Sequence, residues 1–367
     1  AILLMPLPME LLSRHAGIGL SGVTEEAAPP SMDTEALMDG SLQSGLDSYV
    51  SSELPGRDLM IKLRNQALFS VFDISPNSNI IIGKDHDLFE EEYISKYEKV
   101  YPPAEESYVR ELCDDLTYIR DRLEEQGKEL YIFITPTKVR YYEEDVPDTF
   151  RAGAAFTDMP GNHEIFTKVL SEYDLKVYDS IAYIDTIKEG FDYPLYYRTG
   201  THWSWPLATA VTIDLTAWLD EQSSYSFTPG SMECREVSAP VYPDADIFDS
   251  LNLFEEPYDR PYYEAVFSAA PQEGERPSLF CRGGSFMGQS LTTLINSGYF
   301  DSFTYVENTN AFRNDLTAPV TFSDYSELDL AAALEEADIV ILEVNEAHIP
   351  TMSFGLIEYI MEHPEVL

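Results

Sequence analysis

The sequence predicts a mainly parallel α/β fold, with helices on both faces of one sheet and an extension at the N-terminus. Two observations predict the sheet. Short apolar runs bounded by turn residues, above all "ELYIFITPTK" at 129–138 and "ADIVILEVNEAH" at 337–348, have the pattern of strands buried on both faces. Stretches of ten or more residues with helical spacing separate such runs, as parallel neighbours require. A third observation concerns size. With 367 residues the chain can hold one large domain or two modest ones, and 44% hydrophobic with 13% aromatic residues is the composition of a folded protein.

The elements follow in order. Residues 1–12, "AILLMPLPMELL", are nearly all apolar, and fit either an apolar arm packed on the body or the remnant of a signal peptide or membrane anchor. Residues 13–45 are rich in Gly, Ser, Ala and Pro without a clear period, so 1–45 is expected to be an arm or linker. Residues 46–103 form an entry segment. Leu46, Tyr49, Val50, Leu59, Ile61, Leu63 and Leu68 fall loosely at helical intervals, interrupted at Pro55-Gly56. Gly83 and Asp85 then mark a turn between two strands in "NIIIGKDHDLFEEEYI".

The α/β domain proper is expected over 104–367. An amphipathic helix, "EESYVRELCDDLTYIRDRLEEQG", stops at Gly127 before the first buried strand. A helix from about 162 to 172 leads to the strand "LKVYDS". Pro206 occupies a favoured first helical position in "PLATAVTIDLTAWLDEQ". Residues 222–275 are an irregular, acidic, Pro- and Tyr-rich insertion. After it come strand, Gly turn and helix in "SLFCRGGSFMGQSLTTLINSG", the strand "FTYV", a helix over 326–336, the last strand and a final helix over 351–363.

Charge excludes partners. Lys+Arg total 23 against 65 Asp+Glu, a net charge of −42, which argues against nucleic acid and against an anionic membrane surface. The three cysteines, Cys113, Cys234 and Cys281, are expected as free thiols, and no Cys/His spacing suggests zinc. No apolar run of bilayer length is present. No metal or organic cofactor is indicated; the acids of "DADIFD" are only a weak match to a calcium loop.

In open α/β sheets ligands bind at the carboxyl ends of the strands. Three segments deliver polar residues there: "TPTK" at 135–138, "RGGS" at 282–285 and "EVNE" at 343–346. Ser285 follows a strand and two glycines and opens a helix, which lifts its hydroxyl to the sheet edge beside the helix's free N–H groups. A capping serine has the same local pattern. His202, in "YYRTGTHWSWPL", is one of six histidines and is flanked by bulky aromatics, including Trp203. Serine needs an adjacent base to become a nucleophile, and histidine suits neutral pH. The pair makes the stronger candidate. Asn345 and Gly284 are candidate oxyanion donors, and Lys138 and Trp203 are candidate substrate contacts.

Five motifs in order resemble the SGNH-like alginate O-acetylation proteins of the AlgX and AlgJ type. "TGTHWSWPLATA" is similar to their DxHW signature, "IIIGKDHDLFEE" to GKDGWLF, and "IFITPTKVRYYEEDVP" to a strand followed by Pro and Lys. "FCRGGSFMGQS" resembles their serine block, and "ADIVILEVNEAHIP" their last strand. The resemblance spans residues 46–367 and implies a permuted order with the His block before the Ser block. It further implies an exported, membrane-tethered protein that takes an acetyl group from a membrane-bound O-acyltransferase. The family's acid stands two residues before the His, where this chain has Gly200, and Gly284 precedes the serine. Without a carboxylate the imidazole loses its orientation, at a cost of about four orders of magnitude in rate. Asp185, Asp192, Glu343 and Glu346 are candidate substitutes; a backbone carbonyl is another.

The leading expectation is an extracytoplasmic O-acetyltransferase acting on a neutral or weakly charged polysaccharide through Ser285 and His202. Its rivals are a non-catalytic glycan-binding or assembly subunit, and a carbohydrate acetyl esterase.

Overall fold

The computed structural model describes residues 6–22, 28–254, 261–308, 310–314, 319–351 and 355–367. A short antiparallel hairpin pairs β1 (Ile80–Ile82) with β2 (Leu88–Glu90). The central sheet contains β3 (Glu129–Thr135), β4 (Val177–Asp179), β7 (Leu279–Gly283), β8 (Phe303–Glu307), β9 (Ala311–Arg313), β10 (Val320–Thr321) and β11 (Ile339–Asn345). Its order is β10-β9-β8-β7-β11-β3-β4. The run from β8 to β4 is parallel, and the edge strands β9 and β10 are antiparallel. The fold is therefore a mainly parallel α/β domain, as the strand pattern predicts.

Alternation along β3 shows why both faces must be covered. Leu130, Ile132 and Ile134 enter one core with the helices Glu106–Glu124, Asn162–Leu170, Leu330–Glu336 and Leu356–Glu362. Tyr131 and Phe133 enter the other, against the helices Trp205–Gln222 and Ser285–Asn296.

Two regions differ from expectation. Within 13–45, residues Thr34–Asp39 and the start of Ser41–Ser52 are helical, and Pro6–Ala16 forms a helix against Arg57–Phe72. Residues 1–5 lie outside the described residues. The described part of the stretch 222–275, which leaves out 255–260, is not wholly irregular. It contains β5 (Gly230–Val237) paired antiparallel with β6 (Tyr262–Ala269), and the short helix Asp246–Leu251.

That short helix belongs to a satellite core. Ile247, Phe248 and Leu251 pack with Phe69, Ile80 and Leu88, joining it to the β1–β2 hairpin and to the helix Arg57–Phe72. Asn65 Nδ2 also donates to Leu251 O at 2.8 Å. Cys113 and Cys281 are buried and Cys234 half-buried, all as free thiols. Among the described residues no helix is long and apolar enough to cross a membrane.

Candidate active site

The serine turn is built by close approach. β7 is buried along its whole length and ends at Gly283, where a Cβ would stand 2.8 Å from the Cβ of Glu343 on neighbouring β11. Only glycine lets the two strands lie that close. Glu343 is itself buried. Its Oε2 accepts the Gly284 N–H at 2.7 Å, while Oε1 accepts the Thr135 hydroxyl. Burial pushes the Glu343 carboxyl above its ordinary range. Tyr305 Oη donates to Gly284 O at 2.6 Å, so both sides of the turn are tied. Ser285 begins the helix Ser285–Asn296 and is exposed to solvent. As the first helical residue it has no intrahelical partner for its N–H.

His202 is placed by the turn before another helix. Ser204 caps the helix Trp205–Gln222 by accepting from Leu207 N, and donates its hydroxyl to Pro194 O at 2.6 Å. Trp203 is fully buried against Phe133 and Phe286 and anchors the turn in the core. Its role is packing, which replaces the substrate contact suggested by the sequence. Gln289 Nε2 donates to Trp203 O at 3.3 Å, linking the two helices that carry His and Ser.

The result is a hydrogen-bonded line. Ser285 Oγ lies 2.6 Å from His202 Nε2, and His202 Nδ1 lies 2.9 Å from Asp246 Oδ2. A carboxylate only accepts, so Nδ1 carries the proton and Nε2 is free to accept the serine proton. The other Asp246 oxygen, Oδ1, accepts Thr201 N–H at 3.0 Å.

Asp246 is the functional residue that sequence reasoning missed, and it explains Gly200. A Cβ on residue 200 would stand 2.6 Å from Asp244 O and 3.0 Å from Asp246 Oδ1. The segment carrying Asp246 has moved into the space that a side chain at 200 would occupy. Thr199 Oγ1 donates to Asp244 O at 2.9 Å, and Phe248 N donates to Thr199 O at 2.9 Å, lashing the two segments together. Of the acids of "DADIFD", Asp246 thus serves the imidazole and the Thr201 N–H.

Other candidates lie elsewhere. Asp185 pairs with Lys188 at 2.8 Å, Glu346 pairs with Arg140, Asp192 is exposed, and Glu343 holds the serine turn. Lys138 is buried and ion-pairs with Asp87 at 2.6 Å. Its ammonium also donates to Leu88 O, Tyr197 O and Gly200 O, so it fastens β2 to the His loop and is not free to meet substrate. Asn345 Nδ2 donates to Pro136 O at 2.8 Å and to Thr135 Oγ1 at 3.4 Å, which takes both hydrogens of the amide expected at an oxyanion. The Gly284 N–H is likewise taken by Glu343.

A cavity of about 630 Å³ opens beside the acid of the triad, lined by Glu90, Glu91, Glu92, Asp246, Asn79 and Tyr101 among others. Glu90 sits close enough to Asp246 and His202 to feel both. Burial first, and then the Asp246 charge, push its carboxyl up to about 6.

Residues 80–240 match the family described as "SGNH hydrolase-like domain, acetyltransferase AlgX". Over those residues the chain is similar to the AlgX-type SGNH-like domain. Among solved structures, the O-acetyltransferase domain of Pseudomonas putida AlgJ is 18% identical, with 74% of this chain and 92% of that one covered and a TM-score of 0.47. Pseudomonas aeruginosa AlgX is 13% identical, covering 76% and 67% at a TM-score of 0.46. Bacillus cereus PatB1 with a sulfonyl adduct is 12% identical, covering 74% and 97% at 0.47. No curated protein matches. Within the SGNH-like domain, the matched stretch contains His202 and Gly200 and stops before Asp246 and Ser285.

Proposed function

We propose that this domain is a serine-dependent O-acetyltransferase that moves an acetyl group onto a polysaccharide hydroxyl. The observation that carries the reading is the unbroken line from an exposed Ser285 through His202 to Asp246, at 2.6 and 2.9 Å. A binding or assembly subunit has no need of an oriented imidazole and a solvent-facing serine, so this geometry favours the enzyme.

The chemistry follows from the atoms. Ser285 Oγ attacks the acetyl carbonyl carbon as His202 Nε2 takes the hydroxyl proton. Asp246 stabilises the imidazolium that forms, and the Ser285 N–H at the helix start faces the developing oxyanion. Collapse expels the leaving group, which takes the proton from His202, and leaves acetyl-Ser285. A sugar hydroxyl then gives its proton to His202 and attacks the ester. The acetyl group passes to the sugar, and the proton returns to Ser285.

The acceptor we infer is neutral or weakly charged. Glu90, Glu91, Glu92 and Asp246 line the cavity beside the triad's acid against one cation, Lys96, which pairs with Glu92 at 2.6 Å, and the chain carries a net charge of −42, so a uronate polymer meets repulsion at both ranges. In this reading the domain works outside the cytoplasm, where a membrane-bound O-acyltransferase supplies the acetyl group. The test is incubation with p-nitrophenyl acetate, followed by intact mass and by transfer to neutral or uronate oligosaccharides. Acetylation at Ser285 and transfer to neutral oligosaccharides are expected. High-affinity alginate binding at low salt contradicts the acceptor assignment.

A further inference from the structure

We propose that the side-chain amide of Asn308 is the second donor of the oxyanion hole, paired with the Ser285 N–H. The proposal rests on the reading of Ser285 as nucleophile and deepens it.

Acyl-transfer sites aim more than one N–H at the tetrahedral oxygen, and the two donors that the sequence suggested beside Ser285 are taken. Gly284 N–H goes to Glu343 and the Asn345 amide to Pro136 O. Asn308 follows β8, the strand beside β7, and its backbone N–H donates to Gly283 O at 2.9 Å. This fixes the residue against the serine turn through its main chain and leaves its side chain without a described hydrogen bond.

The amide faces the turn. Asn308 Nδ2 lies 3.7 Å, and its Cγ 3.9 Å, from the place a Cβ on Gly284 would take. Gly284 has φ −89, which any residue adopts, and that Cβ would meet only ordinary contacts. Neither backbone nor packing therefore demands glycine at 284. Its effect is to leave the Asn308 amide uncovered at the residue just before the nucleophile. When the Oγ–C bond forms, the carbonyl π pair moves onto oxygen. Nδ2–H then donates to that oxygen until collapse restores the carbonyl and expels the leaving group.

The experiment compares the intact chain with Asn308→Ala and Asn308→Asp, following acetylation of Ser285 by p-nitrophenyl acetate, with kcat, KM and Tm measured together. Loss of one such donor lowers kcat by about 10²–10³-fold. That loss is expected in N308A with KM and Tm unchanged. An equal or larger loss is expected in N308D, whose carboxylate repels the oxyanion. Two outcomes overturn the proposal: both variants within about threefold of wild type, or a rate loss that accompanies a lowered Tm and raised KM. Failure of the wild type to acetylate Ser285 would instead remove the nucleophile assignment, whereas an acetylated wild type with an equally fast N308A removes Asn308 alone.

Discussion

Replacing Asp246 by Asn tests the rerouted acid with little change in shape. The wild-type carboxylate accepts two N–H groups, Thr201 N–H at 3.0 Å and His202 Nδ1–H at 2.9 Å. In the variant the amide oxygen can serve only one of these positions. With the oxygen on Thr201, the NH2 group faces Nδ1, which must then become an acceptor. The imidazole proton moves to Nε2, aimed at Ser285 Oγ, and the base can no longer take the serine proton. The loss for this change of tautomer is about 10⁴ in kcat, or about 5.5 kcal/mol at 1.36 kcal/mol per decade. KM and Tm should stay near wild type, because the volume is conserved and the helix Asp246–Leu251 is held by Ile247, Phe248 and Leu251 in its satellite core. The assay is the rate of Ser285 acetylation by p-nitrophenyl acetate, with Asp185→Asn as a surface control expected at full rate. A D246N enzyme within about tenfold of wild type would refute the assignment.

Three further predictions concern the frame around the triad. Gly200→Ala brings a Cβ to within 2.6 Å of Asp244 O, a backbone atom, so overpacking of about 1–3 kcal/mol should lower Tm by several degrees and slow acetylation as Asp246 is pushed away. For the same reason Gly200→Asp should not rescue Asp246→Ala in the acetylation assay. Lys138→Met leaves the buried Asp87 without its counter-charge and should lower stability to urea by about 3–5 kcal/mol. Glu90→Gln should raise stability at pH 7.5 and leave it unchanged near pH 4. The carboxyl is pushed up to about 6 in the folded chain, so stability falls as pH rises from the unfolded value towards 6, and the amide removes that fall. Thermal melts at the two pH values check the sign.

Much of this was legible in the sequence, for local reasons. Buried parallel strands are continuous apolar runs, so β3, β7 and β11 stand out, and a serine after two glycines or a histidine before a proline-started helix is visible within ten residues. Asp246 was not legible, because its pairing with His202 spans 44 residues and depends on Ile247 and Phe248 docking on a hairpin far earlier in the chain. The clue was indirect: a glycine at 200 where an acid was expected, with nothing local to explain it. Lys138 and Asn345 were misplaced for a different reason. Residue type shows that they can donate hydrogen bonds, while only the tertiary structure shows that Leu88, Tyr197, Gly200 and Pro136 carbonyls have already claimed them. The strands β9 and β10 escaped notice because three- and two-residue edge strands carry too little pattern.

The central claim is that Ser285 is a working nucleophile, and intact mass after exposure to p-nitrophenyl acetate tests it most directly. The account predicts a gain of one acetyl group on the wild type and none on Ser285→Ala. An unacetylated wild type, or an equal gain on the variant, would contradict it.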